Sequence, residues 1–208
     1  MGLKLIGVHG KARSGKDTVA RILVDEHGFV RTAFADPLKA ASAVLFGWPV
    51  EMAFSDEIKG YKSPLWDITG RTAFQRLGDA MKIGFGPDFW IKRWACEYAR
   101  LKDKHSIVVA DVRTNAEADM IRGLGGIILH LERRGAGLSG LEAFHSSERG
   151  ITFNKGTDLH LDNNGTLEEL EDEVHRIVAF IEVSGKELGF RNDRVSVVFF
   201  NDWEGVFC

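Results

Sequence analysis

The chain has 208 residues, a formal net charge of −3 at pH 7 and two cysteines. This length fits one catalytic domain with a substantial core. The slightly negative net charge argues against broad affinity for nucleic acid or acidic membranes. Two cysteines make no disulfide framework. The cysteine usage therefore predicts a reducing cytoplasm, and the charge balance favours small-molecule partners. No apolar run approaches the roughly 20 residues of a membrane span.

The first informative segment joins an apolar run, residues 3–8, to a helix-like stretch, residues 19–26. Between them lies Gly-Lys-Ala-Arg-Ser-Gly-Lys-Asp-Thr, residues 10–18, which we call the phosphate loop. A glycine-rich turn between a strand and a helix lets backbone N–H groups converge on phosphate oxygens, and Lys16 can reach the β- and γ-phosphates. A tight turn that carries a lysine by chance is the weaker interpretation, because both flanks fit the motif.

The rest of the chain alternates short apolar runs with helical patterns, which is typical of a parallel sheet flanked by helices on both faces. We expect strands at 3–8, 29–34, 106–110, 126–131 and 158–161. We expect helices at 16–26, 37–46, 72–83, 88–101, 115–124 and 167–181, the last one capped by Thr166. The pattern predicts an α/β domain over residues 1–183, an irregular cover over a site at 48–70, and an extension of unknown role at 184–208.

Phosphoryl transfer requires two substrates held in line and neutralisation of charge by Mg²⁺, Lys and Arg, so a second anion site should face the phosphate loop. Asp36 and Lys39 follow a predicted strand, although Asp36 could also be an ordinary helix N-cap. Arg71 opens a predicted helix, where a solvated face is the alternative. Trp90 could stack on a base, but Trp90 and Trp94 at i and i+4 are also typical of a core.

Two later segments complete the candidate site. Asp111 and Arg113 follow an apolar strand, where Asp111 could hold Mg²⁺ through water and Arg113 could point into the crevice in which open α/β sheets bind ligands; a structural ion pair is the alternative. Arg133 and Arg134 precede glycines at 135, 137 and 140 and a second charged stretch that includes His145 and Glu148. Arginines separated by flexible glycines predict a mobile lid at about 133–150, with an ordinary surface loop as the alternative.

These motifs form a recognisable series along the chain. It comprises the phosphate loop, Ala-Asp-Pro-Leu-Lys at 35–39, Arg-Leu-Gly at 76–78, Phe-Trp-Ile-Lys at 89–92, Asp-Val-Arg at 111–113, His-x-x-Glu-x-Gly at 145–150 and Asn-Gly-Thr-Leu-Glu-Glu-Leu at 164–170. The series resembles the deoxynucleoside monophosphate kinases of tailed bacteriophages over roughly residues 3–181. The resemblance implies a P-loop kinase fold with a mobile lid.

The same resemblance implies an enzyme that transfers the γ-phosphoryl group of ATP to a 5′-deoxynucleoside monophosphate with Mg²⁺, which yields ADP and a deoxynucleoside diphosphate for DNA precursor supply. Its partners would be small-molecule nucleotides, with neither nucleic acid nor a membrane, and a homodimer is one candidate assembly. A phage-encoded protein of this kind would work in the host cytoplasm.

The resemblance also implies roles for individual residues. Contacts to ATP would come from Arg13, Ser14, Gly15, Lys16, Asp17, Thr18, Arg133 and, near adenine, Asn164. Contacts to the deoxynucleotide would come from Asp36, Lys39, Arg71, Trp90, Asp111, Arg113 and Glu148. Catalysis would rest on Lys16, Arg13, Arg113 and Arg133, and Mg²⁺ would be held by Asp111 through water, with Thr18 as a second candidate.

Two other functions are compatible with the phosphate loop. One is a P-loop kinase that phosphorylates a hydroxyl group, such as a dephospho-coenzyme A, shikimate or gluconate kinase, in which Asp36 would be the base. The other is a non-catalytic nucleotide-binding module. Arg71, Arg113 and Arg133 supply more positive charge than an uncharged acceptor requires, which favours a monophosphate.

Overall fold

The computed structural model describes residues 4–137 and 150–187, with side chains through residue 183. The described chain forms two compact units. Residues 33–97 form one of them, which we call the insert unit, and the residues before and after it form the other, which we call the loop unit. The chain therefore leaves the loop unit once and returns to it once.

The loop unit is built on a five-stranded parallel sheet with the strand order β2-β3-β1-β4-β5. The strands are β1 (Leu5–Gly10), β2 (Val30–Thr32), β3 (Ile107–Val112), β4 (Ile127–Glu132) and β5 (Asp158–Asp162). Because all five strands run in the same direction, their carboxyl ends meet at one edge of the sheet, where ligands of open α/β sheets bind. The predicted α/β fold is confirmed.

Helices cover both faces of this sheet. On one face, α1 (Lys16–His27) and α7 (Leu167–Glu187) close an apolar core that contains Val8, Leu129 and Leu161. On the other face lies α6 (Asn115–Gly123). A Cβ atom on Gly7 would be 2.8 Å from the Ile121 side chain, so the absence of a side chain at position 7 lets α6 pack closely against β1.

The insert unit consists of helices and turns. It contains α2 (Asp36–Phe46), α3 (Val50–Phe54), a 3-10 turn (Glu57–Lys59), α4 (Gly70–Phe85) and most of α5 (Phe89–Leu101). Trp48, Ile58 and Ala73 form a small core there, and Trp90 and Trp94 are also buried. All four tryptophans among the described residues, including Trp66, belong to this unit, whereas Trp203 lies beyond them.

Several predicted boundaries differ from the structure. Residues 48–70 are not irregular, since they hold α3, the 3-10 turn and a bridge between Lys62 and Thr69 around the fully buried Ile58; elements of three to five residues are too short to show a helical period. The N-cap of α2 is Ala35, so the interpretation of Asp36 as an N-cap is wrong. Asp36 instead lies in the first helical turn, where its charge complements the helix dipole.

The C-terminal helix is longer than the sequence pattern predicts. Helix α7 continues to Glu187, so the expected boundary after residue 183 falls inside a helix. The remaining extension, residues 188–208, and residues 138–149 of the predicted lid lie outside the described residues. No helix in the described part of the chain is long and apolar enough to cross a membrane.

Candidate functional site

The phosphate loop connects the end of β1 to the start of α1 at the carboxyl edge of the sheet. Arg13 and Gly15 both have positive φ angles, of 64° and 101°, and the Ser14 N–H donates to the Lys11 carbonyl over 3.2 Å. Gly15 is the N-cap of α1 and has no side chain to satisfy the first helical N–H groups. Those groups, and the positive end of the helix dipole, are therefore available to an external anion.

Two glycines of the loop are required by close contacts. A Cβ atom on Gly10 would be 2.6 Å from Ser14 Oγ, and one on Gly15 would be 2.4 Å from Asn163 Nδ2. Ser14 is buried, and its hydroxyl has no hydrogen-bond partner among the described residues. The loop is thus a tightly closed backbone cradle, and its residues fit the polyphosphate of a nucleotide.

Lys16 folds back over this cradle. Its Nζ donates to the Gly10 carbonyl over 2.7 Å and to the Lys11 carbonyl over 2.8 Å. These bonds hold the ammonium group against the main chain of the loop, so its charge is fixed beside the N–H groups that would meet a phosphate. The arrangement can neutralise negative charge on a bound polyphosphate.

The end of β3 is fixed by two side chains. The Val112 carbonyl accepts a hydrogen bond from His9 Nδ1 over 2.9 Å, and the Arg113 N–H donates to Glu117 Oε2 over 2.7 Å. Both ends of the peptide between Val112 and Arg113 are therefore held. Arg113 itself is exposed, so this cationic residue combines a held peptide group with access to solvent.

Glu117 also completes the N-terminal cap of α6. Its carboxylate accepts from the Thr114 N–H over 2.9 Å, and Thr114 Oγ1 accepts from the Glu117 N–H over 3.3 Å, which is a capping box. Burial raises the pKa of Glu117 above its ordinary value; the N–H groups of Arg113 and Thr114 oppose that rise, while the negative charge of Asp111 adds to it. Asp111, only 9% exposed, is thus a buried carboxylate beside a second acid.

The turn after β5 ties three parts of the loop unit together. The Asn163 N–H donates to the Glu132 carbonyl over 2.8 Å, and Asn163 Nδ2 donates to the Ser14 carbonyl over 2.7 Å. Asn164 Oδ1 accepts from the Arg134 N–H over 2.7 Å. A depression of about 350 Å³ lies beside this turn and is lined in part by Gly165.

The structure brings part of the predicted site together at the carboxyl edge of the loop unit. This part comprises the phosphate loop with Arg13, Ser14, Gly15, Lys16, Asp17 and Thr18, the end of β3 with Asp111 and Arg113, and Arg133 and Asn164 near the ends of β4 and β5. Sequence reasoning missed the supporting roles of His9, Glu117 and Asn163. The only local signal among these was the Thr-x-x-Glu spacing at 114–117, which is typical of a capping box.

The remaining candidates lie in the insert unit or outside the described residues. Asp36 is in the first turn of α2, Arg71 is in the first turn of α4, and Lys39 Nζ lies 5.3 Å from the centroid of the Phe54 ring. Trp90 is 9% exposed and its Nε1 donates to the Gly78 carbonyl over 3.1 Å, which favours the structural interpretation of this tryptophan. Glu148 and His145 lie outside the described residues.

Comparisons of the sequence with known proteins point to one family. The family model described as "Deoxynucleotide monophosphate kinase" matches residues 49–174. A protein of Acanthamoeba polyphaga mimivirus, named as a candidate deoxynucleotide monophosphate kinase, is 33% identical over an alignment of 183 positions, which covers 82% of this chain and 93% of the relative. The deoxynucleotide monophosphate kinase of Enterobacteria phage T4 is 25% identical over an alignment of 245 positions, which covers 83% of this chain and 97% of the relative. Among solved structures, a gluconokinase of Sinorhizobium meliloti covers 87% of this chain and 97% of its own, with a TM-score of 0.45 and 15% identity.

Proposed function

Because the chain belongs to the deoxynucleotide monophosphate kinase family, we propose that it transfers the γ-phosphoryl group of ATP to a 5′-deoxynucleoside monophosphate, which gives ADP and a deoxynucleoside diphosphate. The observation that carries this proposal is the phosphate loop with Lys16 held over its carbonyls, placed at the same sheet edge as Asp111 and Arg113. The enzyme would work in the cytoplasm, where its nucleotide substrates would be available.

The donor side of the reaction uses the loop unit. The N–H groups of the phosphate loop and of the first turn of α1 would bind the β- and γ-phosphates of ATP, and Lys16 would follow the charge of the γ-phosphoryl group as it moves. Arg13 and Arg133 would add positive charge from two sides. Asn164, fixed by its bonds to Asp162 and Arg134, would lie near the adenine.

A magnesium ion fits the acids present. The described residues contain no cluster of three or more His, Cys, Asp or Glu side chains suited to a metal, and Mg²⁺ in kinases is bound by one or two carboxylates together with waters and phosphates. Asp111 would hold the ion through water, with the Thr18 hydroxyl as a second candidate. The ion would supply neutralisation of the negative charge on the nucleotide phosphates.

Several residues are proposed to contact the acceptor. Arg113, whose main chain is held by Glu117, would bind the 5′-phosphate of the deoxynucleotide. Asp36, Lys39 and Arg71 would contact the acceptor from the insert unit. We also propose acceptor contacts for Trp90 and for Glu148.

Such a site needs little covalent chemistry. A phosphoryl group moves between two oxygens that are held in line, and the protein contributes positioning and charge. Preorganised cations act where negative charge develops and reorganise little during the reaction. Lys16, Arg13, Arg113 and Arg133 would therefore carry most of the rate enhancement.

A phosphoryl-acceptor screen tests this function. ADP formation and product identity are measured with the four common deoxynucleoside monophosphates, with the matching ribonucleotides, and with dephospho-coenzyme A, shikimate and gluconate as hydroxyl acceptors. We expect a deoxynucleoside diphosphate as product from at least one of the first group and no product from the hydroxyl acceptors. Turnover of a hydroxyl acceptor alone would replace the proposal with a hydroxyl kinase, and binding of ATP without turnover of any acceptor would indicate a non-catalytic module.

A further inference from the structure

Asn163 connects the turn after β5 to the phosphate loop, and we propose that it is a positioning residue that sets the orientation of the peptide between Ser14 and Gly15. The inference rests on the proposed function in one respect, namely that the loop binds the polyphosphate of ATP. The loop and the turn are separated by 149 residues in sequence but are joined by one buried hydrogen bond of 2.7 Å.

The Asn163 side chain is fixed before it meets the loop. Its main-chain N–H donates to the Glu132 carbonyl over 2.8 Å, which extends the pairing of β4 with β5 by one residue. The residue is 7% exposed. A buried amide on a backbone held by the sheet has little freedom to turn away, so its Nδ2 presents a donor at one place.

The bond acts on the loop through the geometry of the peptide group. In a planar trans peptide the C=O and the following N–H point in opposite directions. Because Asn163 holds the Ser14 carbonyl toward β5, the Gly15 N–H must point to the opposite side, into the cradle over which Lys16 lies. That N–H is one of the donors expected to meet a phosphate oxygen.

Gly15 provides a second and independent observation. Its φ angle of 101° is one that L residues rarely adopt, and a Cβ atom there would be 2.4 Å from Asn163 Nδ2. The amide therefore occupies the space that a side chain at position 15 would need. The glycine lets the amide approach, and the amide in turn holds the Ser14–Gly15 peptide in one orientation.

The chemistry requires a donor at this place. The Ser14 carbonyl can only accept, so an ionised carboxylate at position 163 would face it with a second acceptor and would turn the peptide away. A protonated carboxyl group would again have an O–H to donate. Burial next to a carbonyl raises the pKa of such a carboxyl group. We therefore expect a larger protonated fraction at pH 6 than at pH 8.

Calorimetric binding of ADP and of inorganic tripolyphosphate tests the inference in the full-length protein. We expect Asn163→Ala to bind both probes about tenfold more weakly than the unchanged chain, because one charge-assisted N–H bond is misdirected. Asn154→Ala is the matched control. Asn154 Oδ1 accepts one bond from the Gly156 N–H over 3.0 Å and lies outside the proposed site, so this variant should bind both probes within twofold of the unchanged chain.

Asn163→Asp adds a second measurement, the pH dependence of ADP affinity. A purely structural role of Asn163 would not produce the dependence described below. At pH 8 it should bind ADP more weakly than Asn163→Ala, and at pH 6 its affinity should equal or exceed that of Asn163→Ala. Comparing the two variants at each pH removes the titration of ADP itself. If Asn163→Ala does not fold, Asn163→Asp is compared with the unchanged chain at each pH instead: its deficit in ADP affinity should be smaller at pH 6 than at pH 8, and an equal deficit at both pH values would overturn the inference.

The inference is overturned if Asn163→Ala binds both probes within twofold of the unchanged chain, or if the affinity ratio of the Asp and Ala variants is the same at both pH values. Tripolyphosphate reports on the loop without any acceptor. A chain that shows the expected binding changes but phosphorylates no deoxynucleotide would therefore refute the proposed function and leave the role of Asn163 intact.

Discussion

Lys16 shows how one residue can serve both the loop and the reaction. Its ammonium group is bound by the Gly10 and Lys11 carbonyls, so the charge is in place before any phosphate arrives. A preorganised charge costs little to reorganise during the reaction. The same two bonds cross-link the loop to the start of α1, which means that loss of the side chain should affect stability as well as turnover.

We predict that Lys16→Ala lowers turnover by a factor on the order of 10² or more, the scale for removal of one preorganised charge from a transition state. Steady-state kinetics with a deoxynucleotide acceptor measures the loss, and thermal unfolding shows how much of it reflects stability. Lys102→Ala is the control, since Lys102 pairs only with its neighbour Asp103 at the surface among the described contacts. Near-normal turnover of a folded Lys16→Ala protein would contradict the role given to the loop.

Asp111 and Arg113 are expected to have separate roles although they lie two residues apart. Asp111→Asn should raise the Mg²⁺ concentration needed for half-maximal activity, and Arg113→Ala should raise KM for the acceptor about tenfold or more while KM for ATP changes much less, since one charge-assisted contact is lost. Both are read from kinetics in which one component is varied at a time. If both variants only lower the melting temperature, a structural ion pair would explain these residues.

At the scale of elements, Asp158 joins β5 to α6 and β4. Its buried carboxylate accepts from Arg122 Nε over 3.0 Å and Nη2 over 2.6 Å, from His130 Nε2 over 2.8 Å, and from the Asn154 N–H and Thr157 Oγ1. Burial alone would raise the pKa of Asp158, but the hydrogen bonds from Arg122, Asn154, His130 and Thr157 outweigh it and lower the pKa to about 2. The ionised form is therefore the one that holds these elements together.

The pKa of Asp158 gives a prediction with a definite sign. Since the folded-state pKa of about 2 lies below the ordinary value of 3.8, this stabilisation is complete above about pH 4 and is lost as the pH falls toward 2; its size is about 2 kcal/mol. Asp158→Asn should lower the free energy of unfolding by at least that amount at pH 7, and the difference from the unchanged chain should shrink between pH 4 and pH 2. Denaturant unfolding at several pH values measures it.

Asp119→Asn is the control for this prediction. Asp119 also pairs with Arg122, but its side chain is 68% exposed, so its removal should cost well under 1 kcal/mol at every pH. A constant difference between Asp158→Asn and the unchanged chain from pH 7 to pH 2 would contradict the assigned role of the carboxylate.

Some of these elements could be predicted from local sequence patterns, and others could not. The apolar runs at β1, β3 and β4, and the Thr166 cap of α7, confirmed by bonds between Thr166 and Glu169, are local signals and were predictable. The predicted third strand ends at residue 110, whereas β3 continues to Val112. The polar Asp111 ends the apolar run although it stays in the strand. Gly185 suggests a helix end, yet a single glycine costs only about 1 kcal/mol in a helix, and α7 continues past it. The bond from Asn163 to Ser14 has no local pattern at all.

At the scale of the whole molecule, the chain order separates the proposed contacts of the two substrates. The donor contacts lie in the loop unit, and several acceptor contacts lie in the continuous stretch 33–97. We predict that ADP alone slows hydrogen exchange at residues 10–18 and 162–166, and that a deoxynucleoside monophosphate slows it around Asp36 and Arg71. A bisubstrate analogue that joins adenosine and a deoxynucleoside through phosphates should in addition protect residues 135–147 of the predicted lid.

Mass spectrometry after a timed exchange pulse resolves these segments. Adenosine without phosphates is the control, because it offers the loop nothing to bind and should leave residues 10–18 unprotected. Protection of the same segments by ADP and by the deoxynucleotide would contradict the separation of donor and acceptor contacts, and unchanged exchange of residues 135–147 with the analogue would refute the lid.

The distribution of tryptophans gives the molecule an internal optical probe. Trp48, Trp66, Trp90 and Trp94 belong to the insert unit, and Trp203 is the one other indole in the chain. The tryptophan fluorescence of a Trp203→Phe protein would therefore come from residues 33–97 alone. Mixing that protein rapidly with an acceptor would record the arrival of one substrate in real time, without a dye and without interference from indoles near the nucleotide donor.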